Sequence, residues 1–387
     1  MTIFDRVIER KNTDSVKWNG MKNIYGTNDL LPMWVADTDF QAPKEVIAAL
    51  NERIQHGIFG YATTPDRLYE AIILWAKKRY RWDIKKEWIV FCSGVVKSIA
   101  FSIQALTNEG DKILIQTPIY PPFVRMIEKN NRTVIRNPLI LKNDRYKIDF
   151  NHFEQQLKSG VKLVLLCSPH NPTGRVWTYD ELKRMADLCE TYDVPIVSDE
   201  IHGDIIFQPH VQIPISSLDK KTEYRTVTLF APSKTFNIPG LQFSVMVIPN
   251  AEYRRKVKNQ MEKVAFHGPN ILSIVAAEAA YTYGEPWLDE LNQYLQENAM
   301  LTRNFIKEEL PELTVIPSEG TFLVWIDYRR LGLTEKEFMD RLISKGKLAL
   351  EPGTKYGPEG EGFVRMNIGC PRQTLLDGLN RLKRALT

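Results

Sequence analysis

A lysine that is to condense with a carbonyl needs a depressed pKa. The stretch Phe230-Ala231-Pro232-Ser233-Lys234-Thr235-Phe236-Asn237 sets one between apolar neighbours. It follows Thr226-Val227-Thr228-Leu229, a β-branched run that reads as a short buried strand ended by Pro232. Ser233 and Lys234 are therefore expected at the exposed end of that strand, with Phe230 and Phe236 partly desolvating the amine. Desolvation disfavours the ammonium form, which is what a Schiff-base lysine requires. Alone the signal is weak: a lysine after a strand is ordinarily a solvated loop charge, and this chain has 51 Lys and Arg residues.

Two stretches upstream share the design of an apolar strand ending in polar residues. Val161-Lys162-Leu163-Val164-Leu165-Leu166 runs into Ser168-Pro169-His170-Asn171-Pro172-Thr173-Gly174, and Val194-Pro195-Ile196-Val197 into Ser198-Asp199-Glu200-Ile201-His202-Gly203-Asp204. Open parallel sheets bind ligands at the carboxyl ends of their strands, so Asn171, Asp199, His202 and Lys234 are expected to converge. An amide, a carboxylate, an imidazole and an amine suit a protonated pyridine ring. Asp199 would pair with the ring nitrogen, Asn171 and His202 with a ring hydroxyl, and Lys234 with the carbonyl.

In this order, SPHNPTG, SDEIHGD and APSKTFN, the chain resembles the fold-type I pyridoxal-phosphate enzymes of the class I/II aminotransferase family. Within that family PMWVADTDF, TPIYPPF and FVRMNIGCPR resemble the MalY/PatB group of cystathionine β-lyase-type C–S lyases, and the resemblance spans essentially the whole chain. It implies pyridoxal 5′-phosphate as cofactor and a homodimer with shared active sites. It also implies roles for further residues. Gly94, Val95 and Val96, at the start of an apolar helix, would offer backbone N–H groups to the phosphate, together with Ser233. Tyr61 would complete the phosphate site of a neighbouring subunit, and Tyr120 would stack on the ring. Arg365 would hold an amino acid's α-carboxylate, with Trp34, Ala36 and Asp37 forming a wall of the substrate pocket.

Locally each of these has a plainer reading. Gly94 could simply start a helix, Tyr120 could pack in a proline-rich turn, Tyr61 could be a surface tyrosine, and Arg365 could belong to a structural ion pair. Two positions depart from the broader family. Gln242 stands where many relatives carry a phosphate-clamping basic residue, and His202 where aspartate-aminotransferase-like enzymes have tyrosine. Glu200 and His202 could pair on a metal, but two ligands do not make a site, and none is expected.

The elements that must position these groups follow from pattern. Strand and helix signals alternate from Trp88-Ile89-Val90-Phe91-Cys92 through Phe243-Ser244-Val245-Met246-Val247-Ile248, implying a mainly parallel sheet with helices on both faces. Before it, Asp66 can cap a helix with buried Leu68, Ala71, Ile72 and Trp75, and Val46, Ile47, Leu50 and Ile54 share one face of another. Thr178-Tyr179-Asp180-Glu181 is a capping box. After about Tyr283 a long amphipathic helix, two strands and a closing helix suggest a second unit. The expected fold is α/β, of fold type I. A large domain over residues 46–284 carries a mainly parallel seven-stranded sheet. A smaller α+β domain takes in residues 1–45 and 285–387.

With 387 residues, 43% of them hydrophobic, the chain can bury a large core. Its net charge of +4 lies in no block, so nucleic acid is not an expected partner, and no apolar run is long enough for a membrane span. Four scattered cysteines without CxxC spacing read as reduced buried thiols, and the N-terminus lacks a signal-peptide pattern, so the cytoplasm is expected.

The function these features imply is a C–S lyase. It would convert amino acids with sulfur on the β-carbon into pyruvate, ammonia and a thiol. The same motifs also serve an aminotransferase, because they specify cofactor chemistry rather than outcome. A catalytically weak regulator on this fold is a third reading.

Overall fold

A computed structural model describes residues 2–387. Its centre is a seven-stranded sheet whose strands, from edge to edge, are Ile89–Cys92, Ser244–Val247, Thr226–Phe230, Ile196–Asp199, Val161–Cys167, Lys112–Thr117 and Thr133–Pro138. All neighbours pair in parallel except Ser244–Val247, which runs antiparallel to both strands beside it. The inner strands are near-continuous apolar runs because both faces are covered. Leu163 and Leu165 face Val95, Ile99 and Ile103 of the helix Val95–Leu106, on one side of the sheet. Val164 and Leu166 face Leu182, Met185 and Cys189 of the helix Tyr179–Thr191, on the other.

A second sheet of four antiparallel strands has the order Thr314–Val315, Leu323–Asp327, Phe363–Asn367, Glu351–Pro352. It shares a core cluster with the helices Glu285–Glu309 and Arg372–Leu386, through Leu288, Leu291, Leu375 and Leu379. The N-terminal segment runs alongside. Leu31–Pro32 pairs in parallel with Leu348–Ala349, the Met33 N–H donates to Ala349 O, and Met33 O accepts from Asn367 N. Residues 33–40 then cross from this sheet towards the ends of the large sheet's strands.

Thr178 and Glu181 form the expected capping box. Asp66 does not cap its helix: it is the first residue of Asp66–Tyr80, after Pro65, and its carboxylate accepts from Lys86 at 2.7 Å. The stripe Leu68, Ala71, Ile72 and Trp75 is buried as expected. In the helix Lys44–His56 only Val46 is fully buried, and Ile54 is exposed. The four cysteines are buried free thiols. Among the described residues no helix is long and apolar enough to cross a membrane.

Candidate active site

Lys234 sits in a single helical turn, Pro232–Thr235, that caps the strand Thr226–Phe230. Lys234 is half-buried there. Lys234 is covered by the N-terminal segment, and its Nζ donates to the Ala36 carbonyl at 2.5 Å. Burial lowers the amine's pKa to about 8, with the Asp37 carboxylate opposing the fall and the Arg365 guanidinium adding to it. The flanking aromatics turn away into the core instead, Phe230 and Phe236 lying 6.4 and 6.2 Å from the Tyr281 ring.

Asp199 ends its strand beside Lys234's and is buried. Among the described residues the one hydrogen-bond donor to its carboxylate is the Ile201 N–H, at 3.1 Å. Burial pushes the carboxyl up to about 7, while that N–H and the Lys234 charge pull it down. His202 is buried with its ring edge-on to Phe322 at 5.6 Å, and its Nδ1 has no partner. Burial, then the Lys234 and Arg365 charges, lowers its pKa to about 3, so the imidazole is neutral. Glu200 faces elsewhere. Its carboxylate accepts from Ser198 Oγ, Gln212 Nε2 and the Ile215 N–H, so it does not join His202.

Arg365, 2% exposed, reaches in from the middle of Phe363–Asn367. Nη1 donates to Asn171 Oδ1 at 3.1 Å, and Nη2 donates to Trp34 O at 2.7 Å and Glu351 Oε2 at 2.5 Å. The Asn171 carbonyl accepts from the Tyr120 N–H at 3.1 Å. Tyr120 is largely buried, which raises its hydroxyl's pKa. Asn171, Arg365, Tyr120 and Trp34 are thus linked by direct contacts, Lys234 joins them through Ala36 two residues after Trp34, and Asp199 and His202 lie within electrostatic reach.

Gly94, Val95, Val96, Ser233 and Tyr61, the residues expected at a phosphate, lie on three separate elements. Gly94 precedes the helix Val95–Leu106 with φ of +133°, a conformation L side chains rarely adopt, and nothing lies within 4 Å of where its Cβ would stand. Its N–H donates to Ser244 Oγ at 3.1 Å, leaving the first-turn N–H groups of Val95 and Val96 without intrahelical partners. Ser233 is buried and Gln242 is exposed. Tyr61 stands fully exposed with Ile58 and Phe59 on the loop after Lys44–His56 and is not brought to the other groups of this chain. The Asp37 carboxylate pairs with Arg10 at 2.9 Å, and its charge acts on Lys234.

Three contributors went unrecognised in the sequence. Asn237, in left-handed φ of 55°, accepts from the Thr38 N–H and donates to Thr38 O and Phe40 O at 2.9 and 2.7 Å. Asn367 donates to Val35 O and Asp37 O, both at 2.6 Å. These two amides pin the segment whose Ala36 carbonyl meets Lys234. They lie inside the quoted motifs SKTFN and VRMNIG, so position alone could have flagged them. Glu351, the third, had no such signal.

A twice-covered, mainly parallel sheet with a half-buried lysine, a buried acid and a neutral imidazole gathered at its strand ends defines a cofactor-type site on a fold-type I scaffold. The chain belongs to the family Aminotransferase class I and II, whose model matches residues 29–382, and within it to the MalY/PatB-like subfamily. It is 44% identical to cystathionine beta-lyase PatB of Bacillus subtilis over 385 residues, 99% of this chain and 100% of that one. To protein MalY of Escherichia coli it is 36% identical over 386 residues, covering 99% and 98%. Among solved structures, cystalysin from Treponema denticola, which contains a pyridoxal 5′-phosphate cofactor, superposes with a TM-score of 0.96 at 33% identity, covering 99% and 98%.

Proposed function

We propose that this chain is a pyridoxal-phosphate-dependent C–S lyase that releases pyruvate, ammonia and a thiol from L-amino acids carrying sulfur on the β-carbon. The observation that carries the reading is Lys234, half-buried, lowered to about 8, held on the Ala36 carbonyl and within reach of the Asp199 and Arg365 charges.

The residues fit the cofactor. Asp199 is a buried carboxyl with a single N–H donor and gains from a protonated ring nitrogen. Neutral His202 and the Asn171 amide can share the ring hydroxyl, and Tyr120 offers a flat face. The open space at Gly94, the free N–H groups of Val95 and Val96, and Ser233 suit the phosphate. The exposed loop with Ile58, Phe59 and Tyr61 supports completion of that site by Tyr61 of a second copy, and hence a homodimer. When bound, the cofactor supplies a conjugated, protonated ring that takes up the electron pair released from an amino acid's α-carbon.

The chain's own groups do the rest. Arg365 anchors the substrate's α-carboxylate and thereby orients the α-hydrogen. Lys234, neutral above about pH 8, takes that hydrogen as a proton on Nζ. Asp199 keeps the ring nitrogen's proton in place, and the covering segment 33–40 excludes water from Lys234. The Cα pair then forms the Cα=Cβ bond as the Cβ–S bond breaks, the sulfur leaves with the Cβ–S pair and takes a proton to give the thiol, and one water hydrolyses the remaining enamine to pyruvate and ammonia. The relatives named cystathionine beta-lyase, together with His202 and the PMWVADTDF and NIGCPR stretches, support elimination over transamination.

The test is pyruvate and free thiol formed from L-cystathionine over many turnovers with no keto acid added. A single turnover that stalls with aminated cofactor and resumes only on adding a keto acid would make the protein an aminotransferase. No turnover of any β-substituted amino acid would favour a regulatory role.

A further inference from the structure

Arg365 is not a free anchor. A guanidinium has five N–H bonds, and its partners here can be counted. Nη1 donates to Asn171 Oδ1, and the two Nη2 hydrogens go to Trp34 O and Glu351 Oε2. Nε is buried and has no partner. A carboxylate held by two parallel N–H bonds uses either the side edge, Nε with Nη2, or the end edge, Nη1 with Nη2. Both edges include Nη2. A substrate carboxylate therefore needs a hydrogen that Trp34 O or Glu351 now takes.

Of those two acceptors, Trp34 O is main chain within the pinned segment 33–40, whereas Glu351 is a side chain, 16% exposed. Glu351 stands directly across from Arg365 in the antiparallel pair of strands Glu351–Pro352 and Phe363–Asn367, so the two side chains share a face. It also has other partners already in place. Tyr356 OH donates to its Oε2 at 3.0 Å, and Lys355 Nζ lies 3.3 Å from its Oε1. A carboxylate pushed off Arg365 would remain hydrogen-bonded.

We propose that Glu351 is a built-in competitor for the substrate's carboxylate, occupying Nη2 of Arg365 until a ligand displaces it onto Tyr356 and Lys355. This rests on reading Arg365 as the carboxylate anchor. Glu351 would then set how tightly substrates bind, and it would disfavour ligands that bring a second carboxylate to this corner. The rival is that Glu351 simply holds the guanidinium in position. The two predict opposite signs.

The experiment measures calorimetric affinity of the cofactor-loaded protein for 3-(methylthio)propanoate, a thioether acid without the amine. The chains are the native one, Glu351→Gln and Arg365→Lys, with thermal melts alongside. A neutral amide competes less well than a carboxylate for Nη2, so Glu351→Gln should tighten binding about fivefold. The KM for L-cystathionine should fall in step, the change lying on KM rather than kcat. Glu351→Asp, which keeps the charge but withdraws it by one methylene, should shift binding the same way by less, and serves if the Gln variant folds poorly. Weaker or unaltered binding in both Glu351 variants would overturn the proposal. If Arg365→Lys binds the acid as well as the native chain, the reading of Arg365 itself fails. If Arg365→Lys loses the acid while the Glu351 variants bind it less tightly, only the competitor role fails.

Discussion

Replacing Lys234 by methionine should stabilise the cofactor-free protein at neutral pH, and the gain should fade in alkali. The amine's pKa falls from 10.5 to about 8 on folding because burial strips water from the ammonium ion. At about 1.4 kcal/mol per pH unit, keeping Lys234 charged in the fold costs roughly 3 kcal/mol below pH 8. Methionine removes that cost but also the bond to the Ala36 carbonyl, worth about 1 kcal/mol. A net gain of roughly 2 kcal/mol at pH 7 is left. The sign of the pH dependence follows from proton counting. Between about 8 and 10.5 the unfolded lysine holds a proton that the folded one has lost, so native stability rises with pH across that window. Groups remote from Lys234 titrate alike in both chains and drop out of the difference, whereas the Asp199 carboxyl, no longer pulled down by the Lys234 charge, rises further in the variant and makes the gain fade in the same sense. Urea unfolding at a series of pH values from 7 to 10 reads it directly. A difference between native and variant chains that stays constant over that range would refute the account of Lys234 as a desolvated, titrating amine.

Asp199→Asn should retain cofactor but lose two to four decades of turnover, since breaking a buried charge pair costs about 3–5 kcal/mol; a near-normal rate would remove Asp199 from the mechanism. Asn237→Ala deletes three hydrogen bonds to the segment 33–40, at 3.1, 2.9 and 2.7 Å, and should lower stability in urea by about 2–3 kcal/mol. A loss well under 1 kcal/mol would mean that the segment is held without it. Mixing two inactive chains, Lys234→Ala and Tyr61→Phe, should restore part of the activity through hybrids, whereas a fully active monomer would exclude a shared site.

The large sheet was readable because its inner strands are mostly apolar or β-branched, and three of them, Val161–Cys167, Ile196–Asp199 and Thr226–Phe230, end where a polar motif begins. Asn171, Asp199 and Lys234 fall at those ends for that reason. What could not be read was set by contacts distant in sequence. The partner that buries Lys234 is a backbone carbonyl 198 residues away, and no local pattern in either stretch announces it. Phe230 and Phe236, the local explanation for a desolvated amine, face Tyr281 instead. Asp66 has a good capping residue's chemistry but lies one position inside its helix, where Lys86 claims it. Glu351 meets Arg365 only through strand register, which depends on the turns between Pro352 and Phe363.

The segment 33–40 connects these distant pieces by alternating its carbonyls. Those of Trp34 and Ala36 accept from the two cations, Arg365 and Lys234. Those of Val35 and Asp37 accept from the amide of Asn367, two residues after Arg365 on the same strand face. Asn237, three residues after Lys234, fixes the next turn of the segment from the large-sheet side. The amine and the guanidinium are therefore registered against one another through a single stretch of main chain, clamped from both sheets. A one-residue insertion between Trp34 and Ala36 would leave the Trp34 carbonyl on Arg365 but put the Ala36 carbonyl out of register with Lys234. It would release Lys234 from its acceptor and readmit water, and the amine's pKa would rise back towards that of an ordinary lysine without any change to the side chains that carry the chemistry.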